Sequence, residues 1–192
     1  MKIPSDVTKK FIFAGVALLL GLPGPVSAES KDSDLRVELR GNGGLPAFFS
    51  PSNPNLLHFI LYSEADNLQI YSELSSWGYN NRSFNAVSSD DQRAYRISRR
   101  PRQWRSDGPT TAPIKKGDFL IFDINFCDGT WMSNPPLEVQ PGENLLVSGR
   151  FRIEAGPDAL RDDVWTGTSE SGKSVEVAFD EACVKRLNGQ PK

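Results

Sequence analysis

The chain holds a single histidine and two cysteines among 192 residues. A lone His58 rules out histidine-rich metal sites, and with two cysteines it makes no spaced ligand set, so no metal and no cofactor is expected. G-x-S-x-G, a P-loop and H-E-x-x-H are all missing, which removes the sequence-legible hydrolase, nucleotide and zinc-protease signatures. Beyond residue 28 there is no second long apolar run, so no transmembrane segment is expected in the mature chain. Internal repeats, low-complexity linkers and sustained helical periodicity are lacking too.

What is present starts with residues 1–28, which read as a cleaved signal peptide. Lys2, Lys9 and Lys10 form a positive start, Phe11 to Leu22 an apolar stretch, and Val26-Ser27-Ala28 a small-residue cleavage site. The predicted localisation is secreted or periplasmic, with a mature domain over 29–192. Removing three lysines and one aspartate from the 22 basic and 24 acidic residues leaves 19 and 23, a formal charge of −4. That balance argues against bulk nucleic-acid binding. The remaining 164 residues suffice for one domain with its own core. In an oxidising compartment Cys127 and Cys183 are expected to form a disulfide that ties the C-terminal tail to the body.

Alternation then gives the fold class. Leu68 to Asn80 reads as a strand running into an aromatic turn, with Leu68, Ile70 and Leu74 on the buried face and Gln69, Tyr71 and Glu73 opposite. Asp34 to Arg40 alternates in the same way, and Leu145, Val147, Gly149, Phe151 and Ile153 share a face, as do Val175, Val177 and Phe179. Leu56–Tyr62 and Phe119–Phe126 are nearly all apolar and read as central strands buried on both sides. Residues 83–87 and 93–97 form a predicted hairpin, and Asp158–Val164 one short helical turn. These elements predict an all-β chain: a single immunoglobulin-like antiparallel β-sandwich of about seven to eight strands. Abundant proline suggests protected sheet edges.

Several residues together resemble a known group. They are Ser76-Trp77-Gly78-Tyr79 with Phe84, arginines followed by Pro101 and Trp104, and Ile114 to Asp118 as I-x-x-G-D. Trp131 in a predicted turn after a strand and Val164-Trp165-Thr166-Gly167 before the last strand complete the pattern. The pattern resembles secreted bacterial immunoglobulin-like sandwich domains, mostly of unassigned function, over Leu56 to Phe179. It is more distantly similar to sandwich-type proteinase inhibitors, although no reactive-site motif stands here. The resemblance implies fold rather than activity.

Residues 93–105, RAYRISRRPRQWR, hold six arginines with Tyr95 and Trp104 among them, a reversal of sign in an acidic chain. Arginine makes planar bidentate contacts to carboxylate, sulfate and phosphate and stacks on aromatic rings. Arg99, Arg100, Arg102 and Trp104 are therefore candidate contacts for a protein or an anionic envelope component. The bland alternative is a solvated edge whose charges pair locally. If Tyr95 and Ile97 face inward, Arg96 faces outward, and the six charges need not form one surface. Trp77 and Tyr79 join the binding candidates as loop aromatics, which stack on sugars or cap the core. Asp123, Asn125 and Asp128-Gly129 lack the spacing of a calcium loop. The expected function is thus an exported, non-enzymatic binding protein for an anionic glycan or a protein. The alternatives are an inhibitor working through end loops such as Gly41 to Pro54, or an uncharacterised secreted hydrolase.

Overall fold

The computed structural model describes residues 34–41, 46–52, 56–104 and 108–189. The predicted leader, part of the Gly41 to Pro54 loop and Arg105 lie outside the described residues. In chain order the strands are β1 (Leu35–Gly41), β2 (Ala47–Phe49), β3 (Leu57–Ser63), β4 (Leu68–Tyr71), β5 (Arg82–Ser88), β6 (Ala94–Arg99), β7 (Thr111–Ile114), β8 (Phe119–Ile124), β9 (Trp131–Asn134), β10 (Asn144–Ile153), β11 (Gly167–Glu170) and β12 (Val175–Phe179). Three short helices join them: α1 (Ser76–Tyr79), α2 (Pro157–Arg161) and α3 (Glu181–Leu187). The chain is mostly β, as its alternation predicts, but twelve strands stand among the described residues in place of seven or eight. The strands missed in the sequence, β2, β7, β9 and β11, are three or four residues long, too short for alternation to stand out.

The strands form three sheets. β1, β3 and β8 make an antiparallel sheet with β3 in the middle. A larger sheet runs β2-β12-β10-β5-β6-β9, with β11 also on β10, and it curls into a half-barrel. β4 and β7 pair with each other. The ten-residue β10 organises the large sheet. One of its edges is taken by β5. Its other edge is shared, with β12 on residues 144–147 and β11 on residues 150–153. Gly149 marks the handover, where a Cβ would come within 2.9 Å of Leu39 Cδ2 and Phe59 Cε2. Any side chain there would have to displace both of them from the core.

The core lies between the inner rows of these sheets. Leu35, Val37, Leu39, Leu57, Phe59 and Leu61 face Phe84, Ile97, Leu145, Val147 and Phe151 in one buried cluster. Phe84 is its hub: it packs edge-on against Phe59, Phe126 and Trp131 at ring separations of 5.8, 5.0 and 5.3 Å. Such pairs add about 0.5–1.5 kcal/mol each beyond plain burial. Cys127 and Cys183 are joined, as expected, in a disulfide that fixes α3 to the segment after β8. In a chain-entropy account, closing a loop of this length stabilises the fold by roughly 4 kcal/mol. Asp180 caps α3 by accepting from the Cys183 N–H at 2.7 Å.

Three expectations are corrected. β4 ends at Tyr71 instead of running to Leu74, because residues 72–75 turn back. Leu74 is consequently exposed, and Tyr71, expected to face outward, is buried with its hydroxyl donating to Asp162 at 3.3 Å. Burial, helped by the Asp162 charge, pushes the Tyr71 phenol above its usual pKa. Trp131, expected in a turn, opens β9 and is fully buried. The apolar Phe119–Phe126 stretch is not a central strand. Its strand, β8, is the end of its sheet, and Phe119 and Ile121 are exposed.

Candidate functional site

The β5–β6 hairpin decides what each arginine does. Phe84 pairs with Ile97 and Asn85 with Arg96, so Ile97 and Tyr95 point to the core while Arg96 stands on the outer face. Two residues past Ile97, Arg99 returns to the inner row. Its guanidinium lies 4.1 Å over the Trp131 ring and 5.4 Å from the Tyr79 ring. It donates to Thr130 Oγ1 at 2.5 Å and stands 4.0 Å from the Glu73 carboxylate. Glu73 also pairs with Arg82, which alternation places inward beside Phe84. Arg82 is 2% exposed, with its guanidinium 3.9 Å over the Phe122 ring. Burial pulls the Arg82 guanidinium below its usual pKa, and Glu73 opposes that shift.

Arg100 leaves the sheet and turns to the C-terminal end of α3, donating to the carbonyls of Arg186 and Leu187. Those carbonyls carry the negative end of the helix, so a cation belongs there. Arg186 in turn donates to the Cys127 carbonyl at 2.5 Å. Arg93, at the other end of β6, pairs with Asp91 and with Glu138 at 3.1 Å. Of the predicted contacts in this stretch, Arg102 is exposed and Trp104 half-buried. Arg102 stacks 4.8 Å over Trp104, which meets Tyr79 edge-on at 5.6 Å. The six predicted binding residues therefore divide. Arg99 and Arg100 hold the fold, while Arg102, Trp104 and Tyr79 make a partly open strip that continues through α1 to Trp77.

Trp77 both packs against the core and meets solvent. Its Nε1 donates to Asp158 Oδ2 at 3.2 Å, which fixes the ring's direction. α1 can sit this close to β4 only because residue 78 is glycine: a Cβ there would lie 2.0 Å from the Ser72 carbonyl oxygen. The exposed side of Trp77 forms one wall of a cleft of about 320 Å³. Tyr71 and Asn80 continue that wall, Asn81 and Ser83 come from the start of β5, and Arg96 from β6. Arg152, Ile153 and Glu154 close it from the end of β10. The Arg152 N–H donates to the Asn81 carbonyl at 2.9 Å, which ties the two walls together.

The cleft offers an aromatic wall, two guanidinium groups and amide side chains in one concavity. Arg152 pairs with Glu154 at 3.1 Å at the exposed rim. Asn81 Nδ2 is buried with no hydrogen-bond partner among the described residues. Arg96 is exposed and enters no ion pair among the described residues. This arrangement suits stacking plus charge-assisted hydrogen bonding. His58 lies elsewhere, on β3, where its Nδ1 meets Asp123 Oδ1 at 2.7 Å in a cross-strand pair.

Arg152 escapes a reading of the sequence as a binding group. It stands between Phe151 and Ile153, so alternation alone turns it outward. That it lines the same cleft as Arg96 depends on β5 lying between β6 and β10, which no local pattern discloses. No protein-family model matches the chain, and neither curated proteins nor solved structures give a match.

Proposed function

We propose that the chain is an exported, non-enzymatic binding protein that takes an anionic glycan in the Trp77–Arg96–Arg152 cleft. One observation carries this reading. An arginine without an ion pair among the described residues shares a concave site with a half-exposed indole and an unpartnered amide. Sugar rings stack on indole faces, and uronate or sulfate groups match guanidinium geometry. The partly open strip of Tyr79, Trp104 and Arg102 gives a longer chain a second run of contacts beside the cleft. The leader-like residues 1–28 and the single disulfide support a secreted or periplasmic site of action. Within the all-β class, an immunoglobulin-like sandwich is the architecture this reading assumes.

The test is calorimetric titration of the mature protein with a uronic-acid oligosaccharide and with its neutral counterpart. Binding is expected for the acidic oligosaccharide alone, weakening as salt is raised. The Arg96→Glu/Arg152→Glu variant should lose it by at least about tenfold, since each charge-assisted hydrogen bond contributes roughly 1.5–3 kcal/mol. No binding by the wild type, or equal binding by the variant, overturns the proposal.

A further inference from the structure

We infer that the chain pairs with a second copy of itself through the free edge of β8, extending the three-stranded sheet into a continuous six-stranded one. The two edges of that sheet differ. The β1 edge is closed: Ser169 Oγ donates to the Leu35 carbonyl at 2.7 Å, and Val37 bridges to Ser171. The β8 edge has no strand beside it among the described residues. Phe119 and Ile121 on its outer face are 55% and 53% exposed, and the inward-turned Leu120 and Phe122 are only half-buried. Sheet edges are usually guarded by proline, lysine, a bulge or a covering segment. In the adjoining β7, Pro113 does this. The six residues of β8, FLIFDI, carry no proline and no basic residue, so the guard stops where the apolar strand begins.

The occupant follows from the strand itself. Antiparallel pairing of two β8 edges about Leu120 sets Phe119 of one copy opposite Ile121 of the other, twice, on the outer face. The rows join the Tyr62 ring, which already meets Phe119 at 5.8 Å, into one apolar stripe. The charges at the strand ends are complementary in the same arrangement. Lys115 and Lys116 precede β8, and Asp123 and Asp128 end or follow it. Antiparallel pairing brings the lysines of each copy beside the aspartates of the other, while Asp118 faces the half-buried Phe122. Parallel pairing would set like charges together. A two-fold axis makes this contact self-complementary and closes the assembly at two copies. Main-chain hydrogen bonds supply the affinity and the alternate side chains the register.

Sedimentation of the mature protein over a dilution series tests this directly. The wild type is expected to pass from dimer to monomer on dilution. Ile121→Lys should remain monomeric at every concentration. Leu160→Lys, which charges an apolar side chain 78% exposed on α2, should dimerise like the wild type. A wild type that is monomeric throughout overturns the inference, including one that instead pairs this edge with a different protein. So does a dimer that survives Ile121→Lys, or one lost in Leu160→Lys. Should Ile121→Lys fail to fold, hydrogen exchange on the wild type decides. Amides of residues 119–124 must gain protection as concentration rises, and unchanged exchange there overturns the inference.

Discussion

Arg82, Arg99 and Arg100 differ from Arg96, Arg102 and Arg152 in where the backbone aims them: into an inner strand row or onto the end of α3 in the first set, outward in the second. The first three spend their charge inside the molecule, on Glu73, on aromatic faces and on the end of α3. The second three reach solvent, and two of them face the cleft. Six arginines crowd residues 93–105, and the fold divides the five that lie among the described residues. Charge density along a chain is therefore a poor guide to charge density on a surface when the segment is a strand, because alternation sends neighbours to opposite faces.

The sharpest way to test that division is to remove the partner instead of the arginine. Glu73→Gln leaves Arg82 buried without its counter-charge. Breaking a fully buried pair this way costs about 3–5 kcal/mol. Glu73 is itself half in water, so a loss of about 2 kcal/mol is expected, read as a lower urea midpoint at unchanged slope. Arg82→Met should cost less than about 1 kcal/mol, since the thioether chain fills much of the same space and Glu73 rehydrates. Equal losses from the two variants would show that a buried, uncompensated Arg82 charge is not the dominant cost of breaking the pair.

Arg100 comes next in size. Arg100→Ala removes a cation from the last carbonyls of α3 and should cost about 1 kcal/mol, with faster hydrogen exchange confined to residues 181–189. Arg96→Ala, in the same stretch, should stay within about 0.5 kcal/mol of the wild type. If the two variants were equally stable, the inward assignment of Arg100 would fail.

Much of the fold was open to a reader of the chain, for a physical reason. Long strands with one buried face, β1, β5, β6 and β10, repeat their pattern three or more times, and each was readable. Short partners such as β2 and β9 owe their state to the neighbours they pair with, which no local window contains. β8 misled because an apolar run has two causes. Burial on both faces is one, and an edge awaiting a partner is the other. Trp131 was misplaced because the four-residue β9 is too short to show a pattern, and Tyr71 because its cover comes from Asp162, 91 positions away. The cleft was hidden for a different reason. Trp77 could be picked out, but Arg96 and Arg152 lie 56 positions apart and reach one cleft only through the β6-β5-β10 order.

The smallest effect belongs to Arg102, and it separates the open strip from the buried cluster. Its guanidinium stacks on Trp104 as Arg99 does on Trp131, at 4.8 Å against 4.1 Å. The contacts look alike, but water competes for the exposed one. A solvent-exposed cation–π pair contributes about 0.5–1 kcal/mol at most, and holding two side chains in one geometry offsets part of that. Arg102→Ala should therefore shift the urea midpoint barely beyond error, whereas Arg99→Ala should lower it clearly, by about 2 kcal/mol, through the lost stack and the lost bond to Thr130. Glycan titration of the same two variants completes the contrast. Arg102→Ala should weaken binding of long acidic chains while leaving short ones untouched, since it lies beside the cleft instead of in it. A variant with weakened binding and full stability places Arg102 in the recognition strip. Lost stability would place it with Arg99, and the division between the two rows would then stop at Pro101.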